Sequence, residues 1–196
     1  MAGRRSADTA VDREGALVLG AFRLISERGF EGLRLRDVAA TAGIDHSTLH
    51  HYFPTKQDLV AAVVAHAIDE FRAQADTGDE PGARRRLRLH LQRLAAALRT
   101  RPELYLVLRE MDLRAARDPA VRDILDGHER GWRAALSARF RDAEAEAGAQ
   151  RVDAPRIDPE RGTELVIAAV KGASFAPAAG ADSLELLAEL LYPDAT

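Results

Sequence analysis

Three imidazoles crowd into one short string of this chain, His46, His50 and His51, within Asp45-His46-Ser47-Thr48-Leu49-His50-His51-Tyr52-Phe53. Such a cluster offers metal ligation, proton transfer, or hydrogen bonding to anions and base edges. His46 and His50 stand four apart, a spacing that puts two ligands on one turn of a helix. Ser47, however, occupies the place where the zinc-hydrolase pattern needs Glu, and no third ligand lies nearby in sequence. No metal is therefore expected. The chain has no Cys, which excludes thiol catalysis, disulfides and Cys-held zinc. No phosphate-cradling glycine loop, nucleophile elbow or paired-carboxylate motif stands out, so neither an enzyme nor a cofactor is expected. The remaining chemistry is recognition: short or planar polar tips, all on one short segment.

That segment needs a scaffold, and the apolar spacing is helical nearly throughout. Val18, Phe22 and Ile25 mark a first helix, with Thr9 and Asp12 as its capping box and Gly29 as its end. A short helix is expected over about Leu35–Thr41, stopped by Gly43. Another follows from about His46 to Phe53, with Asp45 as N-cap and Pro54 as terminator. Two crossed helices there bury Val38, Ala39, Ile44, Leu49 and Phe53 against each other. If Leu49 and Phe53 point inward, Ser47, His50 and His51 point outward. Such a face fits a DNA major groove, about 12 Å wide.

The rest reads as longer helices. Thr55-x-x-Asp58 opens one carrying Val60, Val63, Ala67 and Phe71, and residues 76–82 break the pattern. Leu87, Leu91, Leu94 and Leu98 form the dry face of the next, with Arg84, Arg85, Arg86 and Arg88 on its wet face. Pro102, Asp118-Pro119 and Asp158-Pro159 start three more, and residues 145–157 read as a loop. The eighth helix extends through Leu165, Ala169, Gly172 and Phe175, and the last covers Ser183 to Leu191. The expected fold is all-α, with about nine helices: a three-helix unit, then a bundle.

The 196 residues carry 28 basic and 31 acidic side chains, a net charge of -3. A protein that coats nucleic acid indiscriminately is thereby disfavoured, whereas a local binding face is not. No apolar run approaches the roughly 20 residues of a membrane span, and the first ten residues lack a secretory h-region. A cytoplasmic, nucleoid-associated location without a membrane partner is expected. Arg4 and Arg5 could form a DNA-contacting arm or a loose terminus.

Residues 16–60, through AFRLISERGFEGLRLRDVAATAGIDHSTLHHYFPTKQDLV, resemble the DNA-binding domain of the TetR family of bacterial transcriptional regulators. The resemblance rests on an Ala-rich helix ending in Gly-aromatic, then Arg-Asp-Val-Ala, Ala-Gly-Ile, a Thr-Leu pair, an aromatic pair, Phe and Lys. It implies a helix-turn-helix domain over residues 10–56, its motif at about 35–54, and an effector-binding and dimerisation domain over residues 57–196. It also implies roles. His46 and Ser47 reach base edges, His51 and Tyr52 contact bases and backbone, and Thr48 and Lys56 hold phosphates, with Arg36 close to the backbone. His50 replaces the family's usual Tyr, and Arg34 stands where a capping Thr or Ser is usual. Against a polyanion the imidazoles should take up protons, tightening binding as pH falls.

The resemblance further implies a homodimeric repressor of a double-stranded operator, controlled by a small-molecule effector. Two recognition helices would enter successive major grooves about 34–36 Å apart. The fourth helix, Lys56 to Ala75, would pass the effector's influence between domains. Phe71, Tyr105, Met111, His128, Trp132 and Phe175 are the candidate pocket residues, each equally able to be plain core. Ala168, Ala169, Gly172, Ala173, Leu184, Leu187 and Leu191 are the candidate dimer face, intrachain packing being the competing role. An effector-independent architectural DNA binder, and a metal-dependent enzyme using His46 and His50, are the alternative functions.

Overall fold

The computed structural model describes residues 2–148 and 157–191. Among them are nine α-helices and no strand: α1 (Ala2–Arg28), α2 (Leu35–Thr41), α3 (His46–Tyr52), α4 (Lys56–Ala75), α5 (Ala83–Thr100), α6 (Pro102–Ala115), α7 (Pro119–Gly148), α8 (Pro159–Ala173) and α9 (Pro177–Leu191). A single 3-10 turn, Phe30–Gly32, separates α1 from α2. The chain divides into two compact units. One takes the N-terminal residues to Glu70 with Leu106–Leu125; the other takes Phe71–Tyr105 and the chain from Asp126 onward.

In the first unit, Leu17, Ala21, Phe22 and Ile25 of α1 are buried with Val38, Ala39, Leu49, Phe53, Leu59 and Val63. Gly20 faces Thr41 so closely that a Cβ there would lie 2.1 Å from the threonine Oγ1, so α1 and α2 meet at a residue without a side chain. The first turn of α4 is closed by a reciprocal capping box. The Thr55 N–H and hydroxyl both donate to Asp58 Oδ2 at 2.8 Å, and Asp58 N–H donates to Thr55 Oγ1 at 3.1 Å. Residues 106–125 are bound in by two carboxylates. Glu110 Oε2 accepts from the Phe30 N–H at 3.4 Å. The buried Asp118 caps α7 through Ala120 N–H (3.2 Å), and its other oxygen accepts from Arg114 Nε (3.1 Å) and Gln57 Nε2 (3.4 Å).

In the second unit, Leu87, Leu91, Leu94 and Leu98 form the buried stripe of α5, as their spacing predicts. Gly82, the N-cap of α5, has no side chain to satisfy the first N–H groups. Glu146 does so from the last turns of α7, accepting from Ala83 N–H at 2.6 Å and Arg84 N–H at 3.2 Å. Helix α9 lies along α5 and α8; Arg99 of α5 binds Asp182 at 2.6 Å and Glu185 at 2.5 Å. The α8–α9 approach is tight. A Cβ on Gly180 would lie 2.5 Å from the Ala173 Cα and 2.7 Å from its carbonyl oxygen.

Four expected boundaries move. Helix α1 starts at Ala2, so Thr9 and Asp12 lie inside it rather than ahead of it, and Arg4 and Arg5 fall in its first turns. Helix α7 runs on to Gly148, through the first part of the expected loop, because its last turns supply the cap for α5. The remainder of that loop, 149–156, lies outside the described residues. Helix α8 ends at Ala173, leaving Phe175 beyond it, and α9 begins at Pro177 rather than Ser183. Pro177 suits a first turn, and the Ala-Ala-Gly-Ala run after it packs helix on helix instead of forming a loop.

Candidate nucleic-acid interface and bundle cavity

The turn between α2 and α3 is built by backbone alone. Gly43 takes φ +66°, its N–H donates to Ala40 O (3.2 Å), and Ile44 N–H reaches back to Ala39 O (3.0 Å). This is the Schellman arrangement, and a left-handed residue at that place favours glycine. Helix α2 starts at the extended Arg34 with no side-chain cap, consistent with the loss of the usual Thr or Ser there. Asp45 is the N-cap residue of α3 by backbone, but its side chain accepts no capping bond.

Helix α3 is seven residues long, about 10 Å at 1.5 Å per residue. Leu49 and the following Phe53 are buried. His46, Ser47, His50 and His51 are exposed, and Thr48 and Tyr52 are half-buried at the margins. The outward face is thus a continuous polar surface of hydroxyl and imidazole tips. The His46 and His50 rings meet edge to face, centroids 4.7 Å apart. Among the described residues no group of three or more metal-ligating side chains is placed to hold an ion. Arg36 is exposed beside Asp37, its Nε 3.4 Å from the carboxylate, which Arg28 also approaches at 3.5 Å. Lys56 Nζ donates to Leu33 O at 3.0 Å, pinning the start of α4 to the segment that leads into α2. The structure therefore assembles Arg36, Lys56 and the six α3 residues within the first unit.

The second unit holds a cavity of about 560 Å³ bordered by Phe71, Asp76, His90, His128, Trp132 and Arg139, among others. Its walls are aromatic. The Phe71 ring stands edge-on to Trp132 at 5.1 Å and to His128 at 5.8 Å, and the latter two are nearly parallel. Of the six expected pocket residues, the structure brings Phe71, His128 and Trp132 together. Tyr105 is buried behind Phe71, its ring 6.3 Å away and its hydroxyl donating to Leu94 O, and burial pushes the phenol pKa up. Met111 is core in the other unit, and Phe175 is 71% exposed between α8 and α9.

His90 and Arg139 are cavity residues that the sequence reading passed over. His90 is 2% exposed and lies on the leucine stripe of α5. Its Nδ1 is 2.8 Å from the Ala75 carbonyl, which can only accept, and 2.9 Å from Arg139 Nη1. Burial above all lowers its pKa to about 4; the Arg139 charge adds to this, while the Ala75 bond opposes it. Arg139 is half-buried, and burial lowers its pKa too, against the pull of Asp76. His90 Nε2 and the Trp132 indole Nε1 are buried without a hydrogen-bond partner. The signal available for His90 was its place on the leucine stripe of α5; Arg139 carried no comparable signal.

The proposed dimer-face residues divide. Ala173 and Leu184 are buried within this chain, Ala173 spent on the α8–α9 contact that Gly180 permits. Ala169, Leu187 and Leu191 are half-buried, and Ala168 and Gly172 are exposed. The outward apolar residues of this region are Leu165, Phe175, Leu186 and Leu190, the last 71% exposed. Their outward aim follows from where α8 ends and α9 begins, which the apolar spacing alone does not fix.

The family model described as bacterial regulatory proteins, tetR family, matches residues 17–63. The chain is 36% identical over 59 residues to the HTH-type transcriptional regulator CymR of Pseudomonas putida, covering 30% of this chain and 29% of that protein. It is 39% identical over 77 residues to the HTH-type transcriptional regulator EthR of Mycolicibacterium smegmatis, covering 39% and 34%. The matches thus span about a third of the length of these curated relatives. Solved structures share the fold over nearly the whole chain. A TetR transcription regulator from Haloarcula marismortui superposes with a TM-score of 0.80 at 21% identity, over 93% of this chain and 97% of that one. AibR, crystallised with isovaleryl coenzyme A and operator DNA, gives 0.70 at 21% identity, over 93% and 100%.

Proposed function

We infer that this chain, which through residues 17–63 belongs to the tetR family of bacterial regulatory proteins, is a sequence-specific DNA-binding transcription regulator. It works as a homodimeric repressor that a small-molecule effector releases from its operator. The observation that carries the reading is α3, which buries Leu49 and Phe53 and presents His46, Ser47, His50 and His51 outward. A helix of that girth enters a major groove, and its polar tips meet the donors and acceptors on base edges. His46 and Ser47 read bases, His50, His51 and Tyr52 bridge bases and backbone, and Thr48, Arg36 and Lys56 hold phosphates. Phosphate contacts supply salt-sensitive affinity, and base contacts supply specificity.

Dimerisation supplies the second reading helix. The apolar surface of Leu165, Phe175, Leu186 and Leu190, with the smooth Ala168 and Gly172, supports a second copy of the chain as its partner. The aromatic cavity supports an effector, where a filled bundle would favour an architectural binder. Helix α4 begins at the Lys56 anchor and ends at cavity residues Phe71 and Ala75, so it is the element through which occupancy would alter the spacing of the two α3 helices. To release DNA, the effector must bind the wrongly spaced conformer better than the DNA-competent one. The protein acts in the cytoplasm on the nucleoid and catalyses no reaction; among the described residues no helix is long and apolar enough to cross a membrane.

The test is selection of bound fragments from genomic DNA by the purified protein, followed by gel shift. A recurring palindrome, with half-sites one helical turn apart or a small multiple of that, is the expected result. Ser47→Ala and His51→Ala should relax the sequence preference, and Arg36→Ala should weaken binding to all sequences alike. Failure to enrich any sequence, or indifference of binding to changes on α3, would overturn the reading.

A further inference from the structure

The bundle cavity has a polarity of its own, separate from its aromatic walls. Two guanidinium groups, Arg72 and Arg139, and one carboxylate, Asp76, border it. Arg86 also acts on the Arg139 charge from nearby. Arg139 is half-buried and pairs with no carboxylate among the described residues within salt-bridge distance; Asp76 acts on it only at longer range. A half-buried guanidinium without a counter-ion is partly desolvated at a cost, and a ligand carboxylate is the group whose geometry matches it. Two further groups await partners. The Trp132 Nε1–H can only donate. With Nδ1 of His90 committed to the Ala75 carbonyl, Nε2 is left as an acceptor on a ring that is 98% buried and borders the same space. Buried polar atoms left unmatched cost free energy, and a ligand that satisfies them recovers it.

We propose that this cavity binds an aromatic monocarboxylate, its carboxylate paired with Arg139 and its ring seated against Phe71 and Trp132. The aromatic part follows from the edge-on Phe71–Trp132 pair at 5.1 Å, a wall that favours a flat ring over an aliphatic chain. The carboxylate follows from Arg139, whose planar guanidinium matches it in geometry and has no carboxylate within salt-bridge distance among the described residues. The volume, about 560 Å³, holds one or two rings. The carboxylate or another acceptor takes the Trp132 N–H, and a ring hydroxyl donates to His90 Nε2. The inference rests on the reading of this cavity as the effector site, and it names the chemistry of that effector.

Trp132 is the only tryptophan of the chain, so its fluorescence reports the cavity without any DNA present. The full-length protein is titrated with benzoate and 4-hydroxybenzoate, and with benzyl alcohol and 4-hydroxybenzyl alcohol as neutral counterparts; calorimetry follows each titration. The acids should bind saturably, at least about tenfold more tightly than their alcohols, with 4-hydroxybenzoate ahead of benzoate. Arg139→Gln should remove that preference while leaving alcohol affinity within about twofold, and Arg139→Lys should restore part of it. Equal binding of acids and alcohols, tighter binding of benzylamine, or no response to any acid up to millimolar concentration would each overturn the proposal, as would an unchanged acid preference in a folded Arg139→Gln protein. Gel shifts on the selected operator separate the two readings. Acids that fill the cavity yet leave the DNA complex intact sink the effector-controlled reading and spare the ligand class. A neutral compound that quenches Trp132 and releases DNA, where the acids do neither, does the reverse.

Discussion

Acid should weaken this protein through one side chain, His90. In the folded chain the imidazole is buried and its pKa falls to about 4, first by burial, against the Ala75 hydrogen bond and with the Arg139 charge adding to the drop. In the unfolded chain it titrates near the ordinary 6.5. The sign follows from proton counts. Between these values the unfolded chain holds a proton that the folded chain does not, so falling pH favours unfolding. The contribution is fully present above about pH 6.5, declines as pH falls towards 4, and is gone below it. At 1.36 kcal/mol per unit, a gap of about 2.5 units corresponds to roughly 3 kcal/mol. Carboxylates titrate in the same window, so the assay is a difference. Urea unfolding is measured from pH 7.5 to 3.5 for the native chain and for His90→Gln, which keeps a donor for the Ala75 carbonyl. The native-minus-variant stability should be constant above pH 6.5 and drop by about 3 kcal/mol by pH 4. A difference that stays flat across the whole range would refute the reasoning.

Operator affinity of the native chain should rise as pH falls from 8 to 6, by up to about tenfold per pH unit for each proton taken up, and His50→Gln should reduce that slope; gel shifts with superimposable slopes for the two proteins would remove the imidazoles from the interface. Leu186→Glu with Leu190→Glu should abolish the proposed self-association in sedimentation experiments while leaving helical content unchanged, since both side chains face outward; an unchanged sedimentation coefficient would exclude this face as its seat. Gly180→Ala should destabilise the α8–α9 pair by roughly 1–3 kcal/mol, because the new methyl meets backbone atoms at 2.5–2.7 Å; thermal melting within error of the native chain would show that the helices part freely.

The first unit was legible because its signals are local. Gly43, Leu49, Phe53, Thr55 and Asp58 each fix a turn, a buried position or a cap from neighbours a few residues away, and the structure returns each in that role. The bundle was less legible because its decisive contacts are distant in sequence. Nothing near Gly82 shows that Glu146 caps it, and nothing near Arg99 shows that Asp182 and Glu185 will bind it. His90 illustrates the same limit from the other side. Its place among Leu87, Leu91 and Leu94 puts it on the buried stripe, but only the fold brings Arg139 to its ring. His128 and Trp132 came together because an i, i+4 pair inside α7 survives shifts in helix ends, and the fold brings Phe71 of α4 against them; Phe175 did not join them, because its position depended on where α8 stops.

The family match ends at residue 63, yet the unit that carries α3 does not. Phe30 leans on Glu110, and Gln57 shares the Asp118 carboxylate with Arg114 and the start of α7. Anyone building a chimaera by transplanting the family-matched segment onto another protein's body would sever both attachments by cutting at the end of the match. The graft should carry residues 106–125 as well, or re-create Glu110 and Asp118 in the host. Otherwise the transplanted segment keeps its polar α3 surface and loses the footing beneath it.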